Sequence, residues 1–160
     1  MMPILEWLQA TSFGVWVRES RSIWAYPSIL TAHTIGLAVL VGANTVLNLR
    51  LLGVYEEAPI EPLESLFPLM WTGFAINAVS GLALFIADAS KRATEPVFLV
   101  KMACIALGVI VIVLLRSRVF EDAGGPASES AQRAGRKLAV ASLVCWISAI
   151  TAGRLMAYFN

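Results

Sequence analysis

Charged residues divide the sequence into four long apolar segments. Each segment reaches the ~20 residues that an α-helix needs to cross a hydrocarbon core of about 30 Å. The segments with at most one charged residue are 22–49, 65–87, 96–115 and 138–160, and only Lys101 and Arg154 interrupt them. This pattern predicts four membrane-spanning helices, near residues 24–49, 66–87, 97–116 and 138–158.

Helices are the expected state for these segments. An isolated strand in lipid would leave its backbone groups without hydrogen bonds. A membrane β-barrel would instead show segments of about ten residues with alternating polarity. We therefore expect an all-α fold, an integral membrane four-helix bundle formed by residues 1–160 as a single transmembrane domain.

A shorter stretch, residues 3–17, precedes the first segment. Its apolar residues share a broad face, from which Glu6 and Gln9 are excluded. It is too short to span a bilayer, so we expect an amphipathic helix at the membrane interface. Nearby aromatic residues fit a belt at that surface; they are Trp7, Trp16, Trp24 and Tyr26.

Composition supports a lipid environment. Hydrophobic residues make up 58% of the chain and charged residues only 14%, against roughly 25% charged residues in soluble domains. The net charge is +1 and no basic stripe is interleaved with aromatics, so a nucleic-acid partner is not expected. Cys104 and Cys145 lie in apolar segments without a CxxC spacing, and we interpret them as small packing residues.

The distribution of basic residues gives a weak orientation signal. Six flank one side of the predicted bundle and four flank the other; they are Arg50, Arg116, Arg118, Arg133, Arg136 and Lys137 against Arg18, Arg21, Lys91 and Arg92. The positive-inside rule then places both termini outside the cytoplasm. The loops 50–65 and 116–137 are then expected in the cytoplasm.

Alternation of the spans gathers several polar residues into one leaflet. The first span begins where the second ends, the third begins and the fourth ends. The residues on that side are His33, Asp88, Lys101 and Arg154. Ionisable groups inside a membrane usually face the bundle interior or a wet cavity. Lys101 and Arg154 are shallow enough to snorkel, and an ion pair of Asp88 with either one is the structural alternative.

Amides and small residues suggest close helix packing. His33, Asn44 and Asn48 share one face of the first span, and Asn77 lies between Gly73 and Gly81 at intervals of four. Small residues allow helices to approach, and amides can hydrogen-bond across them. We interpret Asn44, Asn48, Asn77 and Asp88 as polar packing residues.

His33 is also the candidate centre of a cofactor site. It is the only histidine, so one chain cannot supply a bis-histidine site. Met102 and Met156 lie in the same leaflet and would permit a His/Met haem, and two copies would supply His33 twice. Lys101 and Arg154 would then bind an anionic group such as a haem propionate. Haem b or a metal ion is the cofactor considered, and a hydrogen-bonded structural histidine, a ligand pocket and a proton relay are the other roles.

Five stretches together resemble a family of small bacterial four-span membrane proteins known as a domain of unknown function. They are RESRSIWAYPSILTAHTIGLAVLVG at 18–42, LRLLG at 49–53, FPLMWTGFAINAVSGLALF at 67–85, FLVKMA at 98–103 and AGRLMAYF at 152–159. The resemblance implies a four-helix bundle with an amphipathic N-terminal helix in a bacterial inner membrane, where termini outside the cytoplasm are periplasmic. It implies no known reaction. It carries over to Glu19, Trp24, Tyr26, Pro27, His33, Gly36, Gly42, Arg50, Gly73, Gly81, Lys101 and Arg154.

Two positions depart from the family pattern. The family often has Asp at the position of Asn48 and a second histidine near Leu115, and the missing histidine weakens a haem or metal role. No nucleophile motif, phosphate loop or zinc motif is present. We therefore expect a non-enzymatic accessory subunit that joins a larger membrane complex or forms a homo-oligomer. The alternative is a haem- or metal-binding redox or ligand-binding module centred on His33.

Overall fold

The computed structural model describes residues 2–121, 128–156 and 158, and this part of the chain is helical with no strand. The all-α prediction is confirmed. The α-helices in these described residues are α1 (Met2–Gln9), α2 (Ser12–Glu19), α3 (Tyr26–Leu51), α4 (Leu66–Ala87), α5 (Ala89–Arg92), α6 (Pro96–Leu115) and α7 (Glu129–Leu155). A 3₁₀ turn, Glu61–Ser65, precedes α4, and a π-helical turn, Arg116–Phe120, extends α6.

Four helices are long and apolar enough to cross a membrane: α3, α4, α6 and α7, with the two turns included. The helix ends follow the predicted spans closely except in α7, which begins at Glu129 rather than near residue 138. Ser128 caps this helix by accepting the N–H of Ala131 at 3.2 Å, and Arg133 pairs with Glu129 at 2.7 Å. The charged residues before residue 138 therefore mark where the apolar segment of α7 begins, whereas the Ser128 cap determines where the helix begins.

The N-terminal stretch forms two helices rather than the single one expected for residues 3–17. Thr11 separates them. Its hydroxyl donates to the carbonyl of Leu8 at 2.7 Å and accepts the N–H of Gly14 at 3.2 Å. Because an N-cap side chain replaces the missing helical acceptor, Thr11 both ends α1 and starts α2.

Both N-terminal helices are fixed to the bundle. Arg18 donates from Nη1 to the carbonyl of Ala87 at 3.0 Å, and Ser90 donates its hydroxyl to Oε1 of Gln9 at 2.5 Å. Val17 is fully buried. The exposed Trp7 and Trp24 on this surface fit the expected aromatic belt at an interface.

α3 lies between α4 and α7, and α6 packs on the other side of α7. The apolar core fills the space between these helices; its members are Leu40, Ala43, Leu47, Leu51, Ile60, Phe67, Met70, Val111, Ile112, Leu115, Val119, Ala139 and Trp146. We call the end where α3 and α6 begin and α4 and α7 end the proximal end, and the opposite end the distal end.

Aromatic and cationic contacts close the distal end. Phe67 of α4 meets Phe120 edge to face at a centroid distance of 5.5 Å, and the guanidinium of Arg116 lies 5.9 Å from the ring centroid of Phe67. Arg50, at the end of α3, donates to the carbonyls of Glu56 and Ala58 at 2.9 and 2.6 Å. Arg50 thereby holds the loop that leads to α4.

Candidate functional site

α3 and α4 cross at backbone contact. A Cβ added at Gly36 would lie 2.7 Å from the amide nitrogen of Asn77 and 2.9 Å from the carbonyl oxygen of Gly73. A Cβ added at Gly73 would lie 2.7 Å from the amide nitrogen of Leu40. Only glycine fits at either position, so these two residues set the distance between the helices.

His33 lies one turn before this crossing and is bonded to α4. Its Nδ1 is 3.0 Å from the carbonyl oxygen of Asn77 and 3.2 Å from the hydroxyl oxygen of Ser80. The amide of Asn77 donates in return to the carbonyl of His33 at 2.8 Å. The predicted polar packing of Asn77 is thus an exchange of bonds with His33.

The partners of His33 assign its tautomer. A carbonyl oxygen only accepts, so Nδ1 carries the proton that it donates to Asn77. Ser80 donates its own proton to the carbonyl of Ile76 at 2.6 Å, which leaves its oxygen as a second acceptor for Nδ1. In the neutral imidazole Nε2 therefore carries a lone pair, and no residue in the described part of the chain makes a hydrogen bond to it.

Two further glycines lie next to the ends of long side chains from other helices. A Cβ at Gly81 would lie 3.0 Å from Cε1 of His33, and a Cβ at Gly153 would lie 3.8 Å from Nζ of Lys101. His33 thus lies against Gly81 of α4, and Lys101 of α6 lies against Gly153 of α7, both near the proximal end.

Lys101 is partly buried, and within residues 2–121, 128–156 and 158 no carboxylate lies within 4.0 Å of its ammonium. Asp88 pairs instead with Arg92, at 3.4 Å, and Arg92 also pairs with Glu95 at 3.0 Å. The suggested pairing of Asp88 with Lys101 or Arg154 is thus wrong. The i,i+4 spacing of Asp88 and Arg92 in one helical turn favours the local pair.

The remaining candidates lie farther out. Arg154 is exposed on α7, Met102 is 46% exposed on α6, and Met156 is partly buried just after α7. Of the residues proposed around a cofactor, His33 contacts α4 and Lys101 contacts α7, whereas Arg154 and Met102 are exposed. The described residues contain no group of three or more His, Cys, Asp or Glu side chains that would hold a metal ion.

The two amides that follow His33 on α3 turn toward the core. Asn44 is fully buried and donates to the hydroxyl of Ser142 at 2.9 Å, and Ser142 lies 3.2 Å from Oδ1 of Asn44. Asn48 is also fully buried, yet its amide nitrogen and oxygen have no partner among the described residues. One predicted packing amide thus binds α7, and the other stays unsatisfied.

Sequence reasoning missed Ser80 and Ser142 as partners. Ser80 lies three residues after Asn77 on the same face of α4, a spacing that could have indicated it. Ser142 is a polar residue inside an apolar segment, which is a weaker signal. Trp146, which packs over Gly108 of α6, had no signal in the sequence because its partner is distant in the chain.

Comparison with known proteins identifies a family. No curated protein and no solved structure matches the chain. The model of one family, described as a family of unknown function, aligns with residues 4–159. Since this alignment spans nearly the entire sequence, the chain belongs to the family of unknown function DUF6644.

Proposed function

We propose that this protein is a non-enzymatic membrane component that self-associates through the outer face of α3. The observation that carries the proposal is the open surface at Gly42. A Cβ added there would meet nothing within 4 Å. At Gly36 and Gly73, by contrast, backbone atoms of the neighbouring helix already occupy the space that a Cβ would need.

Gly42 belongs to a surface that suits a second helix. Ala38 precedes it by one turn and is also exposed, so the pair forms a small-xxx-small motif facing outward. The exposed Ile35 and Val46 flank this pair. In a bilayer, such motifs allow two helices to approach until their backbones touch. The contact of Gly36 with Gly73 supports this use of glycine in the same bundle.

Native mass spectrometry in a mild detergent, together with crosslinking in intact membranes, tests this proposal. We expect a dimer for the unmodified protein and a monomer for Gly42→Leu, because the new side chain keeps the backbones apart. Ala106→Leu is the matched control, since Ala106 is exposed on α6. A protein that is monomeric and free of partners in both assays contradicts the proposal.

We also propose that the bundle lies in the inner membrane of a bacterium, with the proximal end and both termini on the periplasmic side. The support is the excess of basic residues near the distal end, where Arg116, Arg118 and Lys137 flank the apolar segments. Aspartate and glutamate have little weight in this rule. Ion pairs such as that of Arg116 with Glu121 at 3.0 Å therefore leave the bias unchanged.

The second candidate function is a ligand-binding module centred on His33, with haem b or a metal ion as ligand. The observation that favours it is the hydrogen bond from Nδ1 to the Asn77 carbonyl. Metal-bound histidines commonly donate their other ring N–H in this way, which orients the ring and makes the coordinating nitrogen more basic. His33 would supply Nε2 as one ligand, and Lys101 would bind an anionic substituent.

The two candidates use opposite sides of α3. His33 and Gly42 are nine residues apart, which is two and a half turns of an α-helix. Self-association through Gly42 therefore does not bring two copies of His33 together, and a bis-histidine site across that contact is not expected. A bound haem would supply one-electron chemistry, and His33 would hold it through Nε2.

An absorption spectrum and elemental analysis of the purified protein test the second candidate. We expect a Soret band or a stoichiometric metal in the unmodified protein, lost in His33→Ala. Thr34→Ala is the control, since Thr34 is the exposed neighbour of His33 on α3 and its hydroxyl donates to the carbonyl of Leu30 in the same helix. A protein expressed with a haem supply that shows neither band nor metal contradicts this candidate and leaves self-association untouched.

A further inference from the structure

We propose that the first two helices form a wedge in the membrane leaflet at the proximal end, and that the protein therefore prefers membranes in which this leaflet is convex. The wedge consists of the exposed side chains of Ile4 and Trp7 on α1 and of Phe13 and Trp16 on α2. Self-association through Gly42 is not required. The preference is the same for either orientation of the bundle, because only the leaflet beside α1 and α2 is involved.

Both helices expose a pair of large apolar side chains. Ile4 and Trp7 of α1 are 66% and 67% exposed. Phe13 and Trp16 of α2 are 45% and 42% exposed, and their ring centroids lie 6.2 Å apart. In each helix the two positions are three residues apart, so they share one face. Such a face on a short surface helix is typical of a helix that inserts into the boundary between headgroups and acyl chains.

The other sides of α2 differ from this apolar face. Gly14 and Val17, which are also three residues apart, are buried against the rest of the protein. Ser12, Arg18 and Glu19 are polar and exposed. One short helix thus has a buried side, an exposed apolar side and an exposed polar side. This division is expected of a helix that is attached to a protein and lies between lipid and water.

Two hydrogen bonds place the helices at the level where the long helices leave the membrane. Ser90 donates its hydroxyl to Gln9 at the end of α1, and Arg18 of α2 donates to the carbonyl of Ala87. The second apolar segment ends at Ala87, so both bonds lie at the edge of the hydrocarbon core. The wedge is therefore beside the lipid headgroups, and the lipid leaflet is the partner that covers it.

The wedge adds area to one leaflet only. Each of the two helices has eight residues and is therefore about 12 Å long and about 10 Å across. Outside the four long helices, no helix among the described residues of the distal end exposes such an apolar pair. The bonds of Gln9 and Arg18 keep the wedge attached to the bundle. The proximal leaflet is thus expanded relative to the distal leaflet, and bending that makes it convex relieves the difference.

Membrane tubes pulled outward from giant phosphatidylcholine vesicles test the proposal, because the outer leaflet of such a tube is convex. The full chain is reconstituted as Thr94→Cys or as Ser130→Cys, both at exposed positions, and a membrane-impermeant dye is added outside. The dye then marks only molecules with the proximal end outside in the first case, and only those with the distal end outside in the second. We expect the Thr94→Cys molecules to be denser in the tube than in the parent vesicle, and the Ser130→Cys molecules to be less dense. Equal densities of the two populations would overturn the proposal and would leave the wedge as a surface for a protein partner.

Two matched double variants in the Thr94→Cys protein identify the residues responsible. Trp7→Ser/Trp16→Ser removes exposed side chains from the wedge and should lose most of the enrichment in the tube. Val54→Ser/Tyr55→Ser is the control, because it removes two exposed hydrophobic side chains from the distal end, and it should retain the enrichment. Enrichment that persists in the tryptophan double variant would overturn the proposal, since the shape of the four long helices would then cause it. The comparison of the two labelled populations uses neither double variant, so it remains decisive if one of them fails to fold.

Discussion

His33 and Asn77 exchange hydrogen bonds across the closest contact between α3 and α4. The amide of Asn77 donates to the carbonyl of His33 at 2.8 Å, and Nδ1 of His33 donates to the carbonyl of Asn77 at 3.0 Å. One bond uses a side chain of α4 and the other uses only its backbone. Substitutions at the two positions therefore have different effects.

Asn77→Ala removes the bond to the His33 carbonyl and retains the backbone acceptor of Nδ1. We expect the free energy of unfolding to fall by about 0.6 kcal/mol and at most ~1.7 kcal/mol, the range for polar bonds between membrane helices. Unfolding in mixed detergent micelles measures the change. Thr72→Ala is a control, because its exposed hydroxyl bonds only within α4. Equal effects of both substitutions would contradict the interhelical role.

Gly36→Ala and Gly73→Ala should each destabilise the bundle strongly. Their added Cβ atoms would lie 2.7 Å from backbone nitrogen atoms, and the helices would have to move apart. Overpacking of this kind typically costs about 1–3 kcal/mol. The same unfolding measurement applies to both variants.

Gly42→Ala is the matched control for these two variants. Its Cβ meets no atom within 4 Å, and alanine is favoured over glycine in a helix by ~1 kcal/mol. We expect unchanged or increased stability of the monomer, measured at a protein concentration too low for self-association. A loss at Gly42 as large as that at Gly36 would contradict the assignment of the inner and outer faces of α3.

Asn48→Leu should stabilise the protein, whereas Asn44→Leu should destabilise it. Both side chains are fully buried, but Asn48 has no described partner and Asn44 bonds to Ser142. A buried unsatisfied polar group costs about 1–3 kcal/mol, which leucine at Asn48 would recover. Asn44→Leu leaves Ser142 without its partner. If Asn48→Leu is instead destabilising, the amide has a partner such as a bound water.

Single cysteines test the proposed orientation. Thr94 near the proximal end and Ser130 near the distal end are both exposed. In intact bacteria, a membrane-impermeant maleimide should label Thr94→Cys and leave Ser130→Cys unlabelled until the cells are opened. Unmodified protein reports any background from Cys104 and Cys145. The reverse pattern would place the termini in the cytoplasm.

The sequence was sufficient to predict the helices because each apolar segment is bounded by charges. The clearest difference, the start of α7 at Glu129, arises because Arg133 and its neighbours are helical without being apolar. The family resemblance also included both Gly36 and Gly42. It did not separate Gly36, which contacts another backbone, from Gly42, which does not, because the neighbour of each face depends on tertiary packing.

The polar contacts were harder to predict. Placing His33 and Lys101 at one end followed from the alternation of the spans. The partners did not follow, since Asn44 meets a serine 98 residues away and Asp88 bonds to the nearby Arg92. The sequence placed His33 and Asn44 on one face of α3. It did not predict that they contact different helices, His33 contacting α4 and Asn44 contacting α7.

The attachment of the N-terminal helices has a consequence for the order of assembly. Arg18 and Gln9 bond to residues 69 and 81 positions later in the chain. A ribosome makes those partners only after α3 and α4 have been synthesised. During translation the first two helices therefore remain unattached until the second long helix is complete. The docking of α1 and α2 therefore follows the formation of the α3–α4 hairpin.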